Sequence, residues 1–417
     1  MLAMWLFNRL IKIGDLTIID AQGQSYRFQA TESPKVTIRI TDPGLHWKVF
    51  RSPQIAVGEA YMDGKLVIED GTLEDFIRIG VSSLRDSHHD SILEILTRLR
   101  SLLAFFSDFN PIKFSKRQVA HHYDLDGRLF DLFLDPDRQY SCAYFADPSD
   151  TLEMAQRRKK LHLAAKLLLE PGQQVLDIGS GWGGLGLTLA ETPDVSVTGI
   201  TLSEEQHKVS TRRAQEAGLA DRVGFHLRDY RHERAKYDRV VSVGMLEHVG
   251  KPHYRTFFRR IASLLKEDGV AVIHSIGRFD HPGPVNAWIR KYIFPGSYVP
   301  TLSEVTRPIE KSDLFITDIE ILRIHYADTL LAWRKNFFMN IDKVREIYDE
   351  RFCRMWEFYL TACEIGFRSG ELMVFQIQLA RKLDTVPLTR DYIAAFEAGA
   401  EDGTLSATSP QRLKRIS

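Results

Sequence analysis

Apolar runs and period-two alternation mark strands along this chain, and apolar positions three and four apart mark helices. Leu16 to Asp20 and Tyr26 to Gln29 flank the turn Ala21-Gln22-Gly23-Gln24, a pattern that predicts a hairpin. Val36 to Ile40 alternates as another strand and Thr72 to Val81 has helical spacing, so residues 15 to 80 read as a small α+β unit. Ser91 to Phe109 carries a wide apolar stripe at helical period, with Arg98 and Arg100 on its polar side. A connecting or core-facing helix is expected there, with membrane contact as the alternative, and Asn110-Pro111 breaks it.

Further along, strands are expected at Gln174 to Gly179, Val195 to Thr201, Val223 to Asp229, Tyr237 to Gly244 and Val270 to Ile276. Helical patterns such as Ser203 to Ala217 and His253 to Lys266 separate them. Alternation of this kind implies an α/β fold, a parallel sheet covered by helices on both faces. Ile316 to Ile324 and Leu372 to Leu379 add two strand candidates around helical segments from Thr329 to Arg368. The polar tail from Ala400 to Ser417 is expected to fray.

The run Val175-Leu-Asp-Ile-Gly-Ser-Gly-Trp-Gly-Gly-Leu-Gly186 ends the first strand of that alternation and enters a helix. Gly179, Gly181 and Gly183 permit a tight turn and close approach of a ligand, and the helix N-terminus offers free N–H groups. The carboxyl edge of the first strand is where open α/β sheets bind nucleotides. Asp177 lies inside the strand, whereas the second strand ends in Gly199-Ile200-Thr201-Leu202-Ser203 without the acid a dinucleotide ribose requires. Thr201 and Gln206 are the polar substitutes, and Ser203 with Gln206 forms an expected capping box.

Composition narrows the classes. The 417 residues exceed one ordinary core, and 44% hydrophobic with 26% charged residues describes a folded chain of two or three domains. Lys+Arg 55 against Asp+Glu 55 gives no net charge, which argues against a nucleic-acid partner. Cys142, Cys353 and Cys363 form no CxxC pair, as expected of a reducing compartment such as the cytoplasm. No apolar run reaches the roughly 20 residues of a membrane span, and the start, Met1 to Phe7, lacks the basic region of a secretory signal. No cluster at ligand spacing accompanies His88-His89, and His121-His122 belongs to the block His121-His122-Tyr123-Asp124, so no metal is expected.

The glycine loop resembles that of S-adenosylmethionine-dependent methyltransferases, and other segments narrow the resemblance. His122-Tyr123-Asp124, Tyr140 to Phe145, Leu152 to Gln156, Val241 to Gly250, His274 to Gly277, Lys291 to Pro295 and Tyr326 to Trp333 look like the cyclopropane-fatty-acyl-phospholipid synthase family, which includes the mycolic acid cyclopropane synthases. The resemblance implies a Rossmann-like methyltransferase domain over 121–395, preceded by an α+β domain of lipid-binding type over 1–90 and a helical linker over 91–120, and followed by the tail 396–417. It implies methyl transfer from S-adenosylmethionine to a cis double bond of a phospholipid acyl chain, followed by proton loss and ring closure. It also implies bicarbonate as the base, cradled by Cys142, Glu247, His274, Ile276 and Tyr326. Backbone N–H groups near Cys142 and Ile276, with His274 and Tyr326, would donate to it, while Glu247 would accept its hydroxyl proton. No covalent role is expected of Cys142. Of Glu247 and His248, at a strand end, Glu247 is expected inward.

For the cofactor the resemblance places Tyr140 and Ser141 near the methionine carboxylate, Gly179 and Gly181 under it, and Thr201 and Gln206 toward ribose and adenine. Asp229 and Tyr230 fall beside adenine, and Asp177 joins the set. Tyr230 stands where some members have tryptophan, and Ser180 where cysteine is frequent. Competing readings are a C-methyltransferase that leaves a methyl-branched or methylated olefinic chain, an inactive lipid-binding protein, and a methyltransferase for a soluble acceptor. The expected partner is unsaturated phospholipid, met at the inner leaflet through Trp5, Leu6 and Phe7 and through His281 to Pro300 with Trp288, Ile293 and Phe294; ordinary core packing is the alternative for these residues. Homodimerisation is common among such enzymes, so a homodimer is a candidate partner, although none of the segments quoted above encodes an interface.

Overall fold

The computed structural model describes residues 11–86, 126–191 and 194–401. The helix expected at Ser91 to Phe109, the block His121 to Asp124, the apolar start and the tail beyond Glu401 lie outside the described residues. Chain contacts divide the described residues into two compact units: 11–86, 283–295 and 330–372 in the smaller, the remainder in the larger. Periodicity along the chain has no means of assigning segments so distant in sequence to one unit.

The smaller unit holds a four-stranded sheet of β1 (Asp15–Ile19), β2 (Ser25–Gln29), β3 (Lys35–Ile40) and β4 (Leu66–Asp70), in the order β2-β1-β3-β4. The expected hairpin forms, with Leu16 opposite Phe28. Alternation sends Leu16, Ile18, Phe28, Val36 and Ile38 to one buried face. Asp15, on the other parity of β1, is also buried, and the Arg27 guanidinium pairs with both its oxygens at 2.8 and 2.7 Å. Helix Leu73–Asp86 begins one residue after the expected Thr72 and extends past Val81. The helical stretch expected from Thr329 to Arg368 is three helices, His325–Met339, Ile341–Ile347 and Glu350–Arg368; Asp349 caps the last by accepting from the Phe352 N–H at 2.8 Å.

The larger unit has the α/β, Rossmann-like arrangement expected. Its sheet comprises β5 (Gln174–Ile178), β6 (Ser196–Thr201), β7 (Val223–Leu227), β8 (Tyr237–Val243), β9 (Leu265–Arg278), β10 (Phe315–Ile321) and β11 (Leu372–Ala380), in the order β10-β11-β9-β8-β5-β6-β7. β5 pairs in parallel with β6 on one side and β8 on the other, β8 pairs in parallel with β9, and β10 runs antiparallel to β11. Neighbouring residues of one strand enter opposite apolar clusters: Leu176, Val240 and Ile273 join one, Val175, Val241 and Val272 the other. Both faces are therefore dry, which is why these strands read as largely apolar runs. β9 begins five residues before the expected Val270, because Leu265 pairs with Tyr237 ahead of the polar Lys266 to Asp268. Chain order reverses at β5, so the carboxyl ends of β5 and β8 diverge into a crevice. Among the described residues no helix is long and apolar enough to cross a membrane.

Candidate active site

A cavity opens in that crevice. Its lining includes Tyr140, Ser141, Asp177, Gly179, Gly181, Thr201, Gln206, Asp229 and Tyr230, the nine residues singled out for a cofactor. Their positions follow from strand ends: Asp177 and the glycine loop terminate β5, Thr201 closes β6, Asp229 follows β7, and Met245 and His248 follow β8. Gly181 sits at φ +54° and a Cβ there would meet no atom within 4 Å, so its face is open. Gly183, at φ +87°, has the opposite constraint, since a Cβ would lie 2.8 Å from Phe225 and Ser210.

Thr201 Oγ1 donates to Gln206 Oε1 at 2.8 Å and accepts from the Ser203 N–H at 3.1 Å. The expected capping box is thus only half formed. Ser203 Oγ accepts from the Gln206 N–H at 3.3 Å, but the Gln206 side chain turns to Thr201 rather than back to the cap. Asp229 accepts two bonds from the Arg231 guanidinium, at 2.8 and 2.6 Å; burial opposes its charge, yet the Arg231 bonds hold its pKa below the ordinary carboxylate value. The buried Tyr230 ring meets Phe257 edge-on at 5.4 Å, and burial pushes its hydroxyl pKa up to about 12. Asp177 is buried, Oδ2 makes no hydrogen bond among the described residues, and burial pushes its pKa up to about 7.

Tyr140 is edge-on to Phe130 and Phe133 at 5.6 and 5.9 Å, which seats the loop carrying Ser141. Beneath this loop runs helix Leu152–Leu167, where Gln156 Nε2 donates to the Ser141 carbonyl at 2.9 Å and Lys159 Nζ donates to Ser141 Oγ at 3.0 Å. Sequence reasoning missed both residues. Their signal was polar residues three apart, on one helical face, just before the glycine-loop strand. Gln156 and Lys159 are completely buried, and the helix is buried nearly all round despite its polar composition.

The five residues singled out for catalysis lie outside that cavity's lining. Glu247 is on the short helix Leu246–Val249 rather than at a strand end, and its Oε1 accepts from the Ile276 N–H at 2.7 Å. The amide expected to hold bicarbonate is therefore engaged by Glu247. Oε2 is buried and accepts no hydrogen bond by distance and angle among the described residues, and burial pushes the carboxyl pKa up to about 7, with the Ile276 and Glu247 backbone N–H groups and the nearby Ser275 side chain opposing. The nearby Ser275 hydroxyl gives its own hydrogen bond to the Ile276 carbonyl at 3.1 Å. His248 is half-buried and lines the cavity, and burial lowers its pKa to about 4.

His274 Nδ1 faces Gln376 Nε2 at 3.3 Å, so Nδ1 accepts and the ring proton sits on Nε2. Burial depresses the ring pKa to about 3, leaving it neutral. The buried Cys142 thiol is pushed well above its ordinary pKa, in keeping with a non-nucleophilic residue. The next residue, Ala143, donates its N–H to Thr329 Oγ1 at 3.0 Å, which ties the Cys142 loop to the helix that carries buried Tyr326. Among the described residues no hydrogen bond joins Glu247 to Cys142 or His274. Trp288 and Ile293, considered for lipid contact, are 1% and 2% exposed. The Trp288 indole N–H donates to Met62 Sδ at 3.2 Å and its ring packs on Gly58, so core packing explains these residues.

Residues 112–377 match the family described as mycolic acid cyclopropane synthetase, and residues 7–91 match a domain of unknown function. The chain is 36% identical over 359 residues to the cyclopropane-fatty-acyl-phospholipid synthase of Escherichia coli K12, covering 84% of this chain and 90% of the relative. It is 34% identical over 383 residues to a tuberculostearic acid methyltransferase of Mycobacterium tuberculosis, covering 88% of each. A solved structure of a mycolic acid cyclopropane synthase complexed with SAH and CTAB superposes with a TM-score of 0.61 at 31% identity, covering 66% of this chain and 99% of the other.

Proposed function

This chain belongs to the mycolic acid cyclopropane synthetase family, and we propose that it converts the cis double bond of an unsaturated phospholipid acyl chain to a cyclopropane with the methyl of S-adenosylmethionine. The observation that carries this reading is the cavity at the β5/β8 crevice, where all nine residues chosen from the sequence share one lining. The residues fit the cofactor. Gly181 offers an open backbone face, the Thr201–Gln206 pair suits a ribose, and the unpartnered Asp177 Oδ2 suits an ammonium group. When bound, S-adenosylmethionine supplies an electrophilic methyl; Tyr140 and Ser141 would hold its amino-acid end and Tyr230 its adenine.

Bicarbonate, which would supply a base, fits the second cluster at Glu247 Oε2, a buried acceptor suited to a hydroxyl proton. His274 Nε2–H and the Tyr326 hydroxyl are the accompanying donors. The Ile276 amide fixes Glu247 instead of the anion. Burial keeps His274 neutral and Cys142 protonated, so Glu247 is the member of the cluster that exchanges a proton near neutral pH. Membrane contact falls to the smaller unit's helix Leu45–Arg51, where Trp47 is 69% exposed beside Lys48 and Arg51.

The match to a tuberculostearic acid methyltransferase over 88% of each chain supports a second reading, in which the methylated chain is left branched. Purified protein given vesicles of monounsaturated phospholipid and methyl-labelled S-adenosylmethionine should place label in the acyl chains. Absence of label there, with cofactor binding intact, would sink both readings in favour of a binding protein or a soluble acceptor.

A further inference from the structure

Lysine is almost never fully buried without a charged partner. Lys159 is fully buried, yet its ammonium touches no carboxylate among the described residues: it donates to Gln139 Oε1 at 2.5 Å and to Ser141 Oγ at 3.0 Å. Both acceptors line the cavity. One helical turn back, Gln156 Nε2 donates to the carbonyls of the same two residues, at 3.2 and 2.9 Å. Helix Leu152–Leu167 therefore grips the 139–141 loop twice, once through its backbone and once through its side chains.

An ammonium only donates, whereas a hydroxyl has one proton and two lone pairs. With one lone pair engaged by Lys159, Ser141 keeps its proton to give. Burial lowers the Lys159 pKa to about 8, with Lys160 adding to the effect and Asp135 and Asp137 opposing it from a distance. A buried cation that is only partly compensated favours an anion arriving beside it.

We propose that Lys159 is a positioning residue that makes the cavity select a ligand with a free carboxylate, by orienting the Ser141 hydroxyl as a donor and supplying the charge that the carboxylate completes. This rests on the assignment of the cavity to S-adenosylmethionine. Asp177 also lines the cavity, its Oδ2 makes no hydrogen bond among the described residues, and a ligand ammonium beside it would favour its ionised form and so meet the opposite charge. The site thus matches both halves of a zwitterionic amino-acid end.

The test measures binding of S-adenosylmethionine and of decarboxylated S-adenosylmethionine, which differs only in lacking the carboxylate, by calorimetry on the full chain. Wild type should prefer the carboxylated ligand by at least about tenfold, and Lys159→Gln should weaken that ligand by about 10- to 100-fold while moving the decarboxylated one by no more than about twofold. Lys159→Arg, which keeps the charge, should retain the preference. Equal weakening of both ligands would reduce Lys159 to scaffolding, and an unchanged preference in Lys159→Gln would remove its role. Should Lys159→Gln not fold, Lys159→Met reads the same ratio, and equal affinities in wild type alone overturn the proposal. Wild type that binds neither ligand would overturn the cofactor assignment as well, a result distinct from all the others.

Discussion

Glu247→Gln should make the protein more stable at alkaline pH while abolishing turnover. The Glu247 carboxyl titrates at about 7 in the folded chain against an ordinary 4.5. At about 1.4 kcal/mol for each unit of that difference, the ionised form costs the fold about 3 kcal/mol. The sign follows from proton counting: between these two values the folded chain keeps a proton that the unfolded chain has released, so stability falls as pH rises from 4.5 to about 7 and is then flat. Glutamine keeps an oxygen for the Ile276 N–H and carries no charge at any pH. Unfolding by urea should therefore show little difference from wild type near pH ~5 and an advantage of up to about 3 kcal/mol near pH ~8.5. The same preparation should bind S-adenosylmethionine nearly normally and transfer no label to lipid. An equal stability difference at both pH values would refute the buried-carboxylate argument, and wild-type turnover would remove Glu247 from the chemistry.

Three further outcomes follow from the same geometry. Turnover of the wild type should rise through about pH 7, where Glu247 ionises, and His274→Gln should leave that inflection in place in whatever activity remains, because His274 is already neutral; loss of the inflection would reassign it. Gly183→Ala should lower the melting temperature, since its Cβ would press on Phe225 and Ser210, whereas Gly181→Ala should fold with a loss of about 1–2 kcal/mol for its positive φ and bind cofactor more weakly; a reversed order in the two melts would contradict the distances. Trp288→Ala should cost about 3–5 kcal/mol of stability and leave vesicle binding by the remaining folded protein unchanged, with a selective loss of vesicle binding as the contrary result.

The α/β architecture was legible because the central parallel strands β5, β8 and β9 pack apolar residues on both faces and so read as largely apolar runs. The cofactor residues were legible for a related reason: a doubly wound sheet gathers its strand ends at one crevice, so Asp177, Thr201 and Asp229 meet wherever the strands are placed correctly. Lys159 and Gln156 were not legible, because polar residues on a helix ordinarily face water and only the packing of helix Leu152–Leu167 reveals their burial. Trp288 misled in the opposite direction. An aromatic beside Arg290 and Lys291 looks interfacial along the chain, but Lys291 pairs with Glu59 at 2.6 Å and the indole turns inward to Met62. The Ile276 amide could not be assigned from its strand, because its acceptor lies 29 residues away.

Identifying the product formed from trideuteromethyl S-adenosylmethionine and monounsaturated phospholipid vesicles tests the central claim most directly. Ring closure sheds one hydrogen of the transferred methyl, so the acyl chain should gain two of the three deuterons, lose its olefin and show high-field cyclopropyl proton signals. A chain that stays olefinic, whether it keeps all three deuterons as a methylated alkene or two as an exomethylene, would contradict cyclopropane formation and establish methylation without ring closure.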